Sequence, residues 1–205
     1  MNTAYFLGRL KGFDIRTKGT GNPGASNVVI VMGKGAGIFC AIFDIIKAAS
    51  AVLICGWFFP DIEYAKIITG TSVVLGHIFP VLLKFRGGKG LAALAGVALA
   101  FDYKLFLILL LAELVLIIIV DYICLIPTTG SVLFTIIIGI QHGWLYSLIF
   151  LPVTVVILFR HIENFRNIIN GVEYRIRLLW KREQELQRVE KNREKLAEKQ
   201  NKSQN

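Results

Sequence analysis

Charge is scarce in this chain of 205 residues: 18% are Asp, Glu, Lys or Arg, against 55% hydrophobic. That balance excludes an ordinary soluble domain. Acidic residues are scarcer still, 14 against 23 Lys and Arg, for a formal net charge of +9. In a soluble protein such an excess suggests nucleic acid. Here the cations fall between hydrophobic blocks and in the C-terminal tail. Membrane orientation and anionic lipid head groups account for them, and nucleic acid does not. Cysteine is limited to Cys40, Cys55 and Cys124, widely spaced in or beside apolar blocks. They give neither a metal-ligand spacing nor a disulfide framework, and read as small packing residues. The start carries no cleavable signal pattern. No internal repeat or pair of matching broken helices marks a transporter, and no sustained heptads mark a coiled coil.

What the chain has in abundance is long apolar blocks. They imply an all-α integral membrane protein built as one helical bundle. Residues 1–10 are too few to cross a bilayer, which takes about 20. They pack as a half-helix or lack the front of a span. Spans are expected over residues 36–60, 67–83, 105–120 and 145–159. A short Ala- and Gly-rich segment covers 91–101. A broken one covers 122–140, with a break beginning at Asp121 and another at PTTG, 127–130. Counting the half-helix, this is a seven-helix bundle with a shortened first span. Asp44 and Lys47, at i and i+3, can pair on one helix face. Glu113 stands alone in its span, a functional candidate by default or a protonated, hydrogen-bonded side chain.

Cations cluster in residues 11–34, 84–89 and 160–166, while the intervening turns hold few. The positive-inside rule puts these three stretches in the cytoplasm, with the N-terminus outside and the C-terminus inside. They can therefore converge on one site. Residues 1–173 form the membrane domain. Residues 174–205, with ten Lys and Arg against five Glu, read as a charged cytoplasmic helix or tail, interfacial or solvated.

The middle stretch is GHIFPVLLKFRGGKG, residues 76–90. Glycines let backbone N–H groups approach a ligand, and Lys84, Arg86 and Lys89 supply charge. It is not a Walker A loop, because Gly90 stands where a Ser or Thr would bind Mg²⁺. By itself it reads equally as an oxyanion site or as a basic turn holding a helix at the cytoplasmic side. The first stretch, residues 11–27, is KGFDIRTKGTGNPGASN, whose composition excludes a regular helix. Asn22, Ser26 and Asn27 beside Gly21 and Gly24 suit an anion through amides, hydroxyls and backbone N–H groups, or form an ordinary polar loop.

With RHIENFRNIINGVE (160–173), these stretches complete a pattern. TGNPGASN (20–27), GHIFPVLLKFRGGKG and RHIENFRNIINGVE resemble, in order, SGNxGxTN, GHxFPxxxxFxGGKGxAT and RHxxNxxRxxxGxE. These are blocks of the bacterial membrane glycerol-3-phosphate acyltransferases that use acyl phosphate, the PlsY type. The resemblance covers about residues 5–173. It implies a multi-pass enzyme of the bacterial inner membrane with its active site on the cytoplasmic face. The implied reaction moves a fatty acyl group from acyl phosphate to the 1-hydroxyl of glycerol 3-phosphate, a step of phospholipid biosynthesis giving lysophosphatidate and phosphate. No metal or coenzyme is implied. The resemblance assigns catalysis to Lys89, His161 and Asn164, with His161 or a substrate phosphate accepting the hydroxyl proton. Substrate binding is expected of Thr20, Gly21, Asn22, Gly24, Ser26, Asn27, Arg86, Gly87, Gly88, Gly90 and Glu173, which suit two phosphorylated substrates. His77 joins them or is a structural histidine at the end of a span.

Three of the departures from the pattern remove cations. Ile30 stands where an Arg follows the first block, Ala93 where Thr follows GGKG, and Asn167 where the last block has its second Arg. DYICLIP (121–127) stands for RYxSLxS, so Asp121 replaces Arg, and Cys124 and Pro127 replace Ser. Three expectations follow: an acyltransferase with altered substrate binding, a paralogue with a different acceptor, or a weakened lipid- or anion-binding or transport protein. The first fits the retained Lys89, His161 and Asn164.

Overall fold

The computed structural model describes residues 2–204 and is all-helical apart from an isolated bridge between Tyr122 and Arg175. Ten α-helices run in order: α1 Thr3–Leu10, α2 Ala25–Met32, α3 Lys34–Phe58, α4 Ala65–Ile78, α5 Leu91–Phe101, α6 Tyr103–Val120, α7 Leu125–His142, α8 Trp144–Arg160, α9 Ile162–Ile169 and α10 Arg182–Gln204. Five segments are long and apolar enough to cross a bilayer: Lys34–Phe58, Ala65–Leu83, Tyr103–Val120, Leu125–His142 and Trp144–Ile169. The chain is a multi-pass membrane protein. The expected count of seven is thus not reached by length and composition, because α1 and α5 are short. Ile108, Leu111, Val115 and Ile118 of α6 and Ile38, Ile42 and Ile46 of α3 stand exposed, an apolar surface that suits lipid rather than water.

The centre of the bundle is α5. At 11 residues it is about 16 Å long, half the hydrocarbon thickness of about 30 Å. Its small side chains let α3 lie close: a Cβ at Gly96 would meet the Ile45 carbonyl and come within 2.8 Å of Ala48 Cβ and 3.0 Å of Ala49 N. Phe134 and Phe150 meet edge to face at 4.7 Å and fill the far side, where α7 packs on α8. Hydroxyls also join these two helices, with Thr135 Oγ1 and Thr154 Oγ1 at 2.6 Å and Ser147 Oγ donating to Thr135 O at 2.8 Å. Because α5 is short, the backbone before it, residues 79–90, leaves the helical path and lies against the bundle. Irregular backbone is tolerated at such depth only when buried in protein or lining a cavity.

Two local expectations are overturned. The polar stretch ending at Asn27 is not wholly irregular, since α2 starts at Ala25 with Gly24 as its N-cap and includes Ser26 and Asn27. PTTG makes no break either, because Pro127 is the third residue of α7, where its missing N–H would have had no intrahelical partner. The break at Asp121 is present, with φ 65° ending α6. The expected Asp44–Lys47 ion pair forms on α3, and Thr3 Oγ1 donates to Asp44 Oδ1 at 2.6 Å, fastening α1 to it.

The close α3–α5 contact yields a stability prediction. Gly96→Val forces a branched side chain into backbone and should cost about 1–3 kcal/mol. Gly35→Ala, with nothing within 4 Å of its Cβ, should hold or raise the midpoint. Thermal unfolding of both variants in one detergent tests the contrast.

Candidate active site

The polar stretches converge on one cavity of about 1360 Å³. The glycines at 87 and 88 do not offer their N–H groups to it. Gly87 N donates to Ile78 O at 3.0 Å and Gly88 N to His77 O at 3.2 Å, folding the loop back on the end of α4. A Cβ at Gly87 would meet those two carbonyls, and one at Gly88 the His77 ring. These glycines therefore serve close packing. The amides left to face an anion belong to the first turn of α5, where Gly90, Leu91 and Ala92 line the cavity and the helix dipole favours negative charge.

The first loop repeats this arrangement. Thr20 N donates to Asn27 Oδ1 at 2.8 Å, Gly21 N to Lys18 O at 3.0 Å and Gly24 N to Asn22 O at 2.9 Å. Asn27 is fully buried, and its Nδ2 donates to Ile15 O and Lys18 O at 3.1 and 3.0 Å. Asn27, Gly24 and Gly88 thus lie behind the cavity wall, while Thr20, Gly21, Asn22 and Ser26 line it. The N-terminus of α2, through Ala25 and Ser26, is the second helix start at the cavity.

The third stretch supplies the charged centre. The Lys89 ammonium donates to Asn164 Oδ1, and Asn164 Nδ2 donates to Glu173 Oε1 at 2.8 Å. Asn164 lies on α9, whose start follows His161 directly, so one turn of chain positions both. His161 is buried, with Nδ1 2.7 Å from Ile157 O. That bond requires the proton on Nδ1, leaving Nε2 as the acceptor of a neutral ring. Arg160 reaches across to Gly87 O at 3.3 Å, tying this stretch to the glycine loop.

Burial lowers the Lys89 pKa from its ordinary value, and nearby Glu173 opposes that shift. Burial also raises Glu173, with the Asn164 hydrogen bond and Lys89 acting against it. Cys124, on the same wall, is pushed up to about 12 by burial and by Glu173, so it is a poor nucleophile. Arg86 lines the cavity from an exposed position. His77 also lines it, its Nδ1 3.2 Å from Lys47 Nζ and its Nε2 beside Gly88. Away from the polar end, the lining continues along α5 and α6 as Ala92, Ala95, Phe106, Leu110 and Leu114. Buried Glu113 lies on that wall and accepts from Thr129 Oγ1 at 2.8 Å.

Sequence reasoning missed Arg16, Arg160 and three tail residues, Tyr174, Leu178 and Arg193, all in the cavity lining. Arg16 pairs with Asp14 at 2.7 Å and donates to Leu83 O at 3.2 Å, joining the first loop to the second. The hydrogen bond and charge of Arg16 hold the Asp14 carboxyl below its usual range. The Asp14–Arg16 spacing was a legible signal of such a pair; the approach of the tail had none.

The family model for glycerol-3-phosphate acyltransferase matches residues 1–171. The chain belongs to that family. It is 35% identical over 181 residues to the glycerol-3-phosphate acyltransferase of Thermoanaerobacter pseudethanolicus, covering 86% of this chain and 89% of that one. It is 31% identical over 169 residues to glycerol-3-phosphate acyltransferase 2 of Thermotoga maritima, covering 82% and 86%. The crystal structure of PlsY in its glycerol 3-phosphate form superposes with a TM-score of 0.79 at 29% identity, over 87% of this chain and 90% of that one. Its lysophosphatidic acid form gives 0.76 at 28%, over 85% and 88%.

In this glycerol-3-phosphate acyltransferase the Lys89–Asn164–Glu173 chain makes a pH prediction. Glu173→Gln keeps an oxygen for Asn164 but removes the negative charge that holds the Lys89 pKa up. Lys89 then loses its proton at lower pH, and the alkaline limb of kcat/KM should move toward acid. A pH–rate profile of wild type and variant checks the direction.

Proposed function

We propose that the chain transfers a fatty acyl group from acyl phosphate to the 1-hydroxyl of glycerol 3-phosphate, releasing lysophosphatidate and inorganic phosphate. The observation that carries this reading is the two-part cavity. Its polar end has Lys89, His161 and Asn164 with two helix starts, and its other wall is apolar. Two phosphorylated substrates need two anion sites, and an acyl chain needs an apolar groove beside them. The name of the PlsY structure in its glycerol 3-phosphate form supports the acceptor. The donor rests on the motif resemblance.

In the reaction, the glycerol oxygen attacks the acyl carbonyl carbon and the bond from that carbon to the phosphate oxygen breaks. Phosphate leaves with the electron pair. His161 Nε2 accepts the hydroxyl proton, or the substrate phosphate does so. Lys89 and the first-turn amides of α5 stabilise the developing negative charge, the usual large term in acyl transfer. The seven-segment reading counts α1, α3, α4, α5, α6, α7 and α8, with α1 as the half-helix. It puts the cavity mouth on the cytoplasmic face of a bacterial inner membrane, because the cationic stretches surround it. The absent cations at 30, 121 and 167 are read as altered binding rather than lost chemistry, since the Lys89, His161 and Asn164 arrangement is intact.

The test is phosphate release and lysophosphatidate formation by the purified protein in lipid, from palmitoyl phosphate with and without glycerol 3-phosphate. Wild type should form product only with the acceptor. Lys89→Ala should lower kcat about 10²- to 10³-fold, as loss of one charge-stabilising donor does. Folded wild type that makes no lysophosphatidate across acyl lengths would overturn the assignment and favour a different acceptor.

A further inference from the structure

We infer that the C-terminal segment, residues 174–198, is part of the substrate site and that its Arg193 holds a substrate phosphate. The inference rests on the acyltransfer reading above and adds a residue to it from outside the part of the chain that matches the family, residues 1–171.

The segment is fastened to the turn that carries Glu173. Arg188 Nη1 donates to Gly171 O at 2.9 Å and Nη2 to Glu173 O at 2.6 Å. Asn192 Nδ2 donates to Gly171 O at 2.8 Å. Glu185 is buried, accepts from Arg175 N at 2.9 Å and pairs with Arg188 at 2.6 Å. Leu178 and Val189 are buried as well. Positions 185, 189 and 193 recur at i+4 and share one helix face. Arg193, exposed, follows on that face and lines the cavity.

The arginines of the segment divide by what engages them. Arg182 donates to Ile30 O. Arg177 pairs with Asp121 at 3.0 Å, and Arg175 lies 4.0 Å from the same carboxylate. Arg188 is engaged at the Gly171–Glu173 turn. Arg193 forms no ion pair within 4 Å among the described residues, yet it lines the cavity and acts electrostatically on Glu173. It is an exposed cation in the cavity lining, and among the described residues its side chain makes no hydrogen bond or ion pair. Tail arginines meet Ile30 and Asp121 directly, and Arg193 sits by the Glu173 that bonds Asn167. Both substrates carry phosphate, and the assay separates them.

The experiment is steady-state kinetics of the full chain in proteoliposomes. Arg193→Gln should raise KM for glycerol 3-phosphate or for acyl phosphate about tenfold or more, as loss of a charge-assisted hydrogen bond does. Its kcat should stay within about twofold, which a merely structural role would not predict. Arg188→Ala, which releases the docked helix, should raise the same KM, and the double variant should be no worse than Arg188→Ala alone. An unchanged KM for both substrates, or additive effects, overturns the inference while wild-type turnover upholds the acyltransfer reading. No turnover by folded wild type overturns both. Where Arg193→Gln does not fold, tryptic cleavage after Arg193 in wild type decides. Slowing by glycerol 3-phosphate or by a non-hydrolysable acyl phosphonate supports the inference, and equal cleavage with either overturns it.

Discussion

A half-buried ammonium group must be given partners, and the placement of Lys89 constrains everything around it. Leaving such a charge unpaired in a low-dielectric site costs several kcal/mol, on the order of the stability of a whole domain. Asn164 and Glu173 answer that need without neutralising the lysine by direct contact, since the amide stands between the two charges. The amide keeps the ammonium in place while leaving its remaining donors for a ligand. It also explains why the third stretch turns sharply after α8: His161, Asn164 and Glu173 must all reach one point from a short run of chain. A single peptide segment thereby carries the imidazole, the bridging amide and the counter-charge.

The glycines serve this arrangement indirectly. A glycine-rich loop beside a lysine invites the reading that its N–H groups cradle phosphate. Here the Gly87 and Gly88 amides are bonded to the last carbonyls of α4, which would otherwise lack partners at the helix end. The loop is thus a C-terminal closure of α4 and an approach to α5 at once. Because α5 is half a membrane long, its N-terminus opens at the cavity instead of in bulk water. The same solution appears at α2. In both places the sequence uses loop amides to build the loop and leaves helix starts to face the cavity.

Much of this was legible in the sequence. The apolar blocks gave the positions of the long helices, and α1 ends at Leu10 as the short first block implied. Lys89 and Asn164 are hydrogen-bonded, and His161 lines the same cavity. Other features were hidden for definite reasons. Asn27 looks like a ligand because an exposed amide and a loop-bracing amide have the same one-dimensional signature. Its bonds to Ile15 and Lys18 exist only after the loop closes. PTTG looked like a break because Pro and Gly punctuate chains on average, whereas Pro127 falls in the one turn of a helix that tolerates it. The tail reads in sequence only as a charged helix or tail. Its docking depends on two buried side chains and on hydrogen bonds to backbone carbonyls, neither of which leaves a periodic pattern.

The position-by-position departures also change meaning in three dimensions. Asp121 where a cation is expected looks like a reversal of charge at the site. In space it is one member of a cluster with Arg177 at 3.0 Å and Arg175 at 4.0 Å, so the negative group is answered locally. Ile30 has no donor in its side chain, but its carbonyl receives Arg182. Electrostatic interaction depends on distance and dielectric, not on which segment bears the charge. None of Asp121, Arg175, Arg177 and Arg182 lines the cavity, so these contacts fix the tail to the membrane domain and put no cation back into the cavity. Buried Leu178 and Val189 and the Glu185–Arg188 pair provide that fixation. An unanchored basic tail would bring the same charges only as a diffuse, salt-screened cloud. The docking, more than the number of arginines, is what fixes where the tail's charge lies.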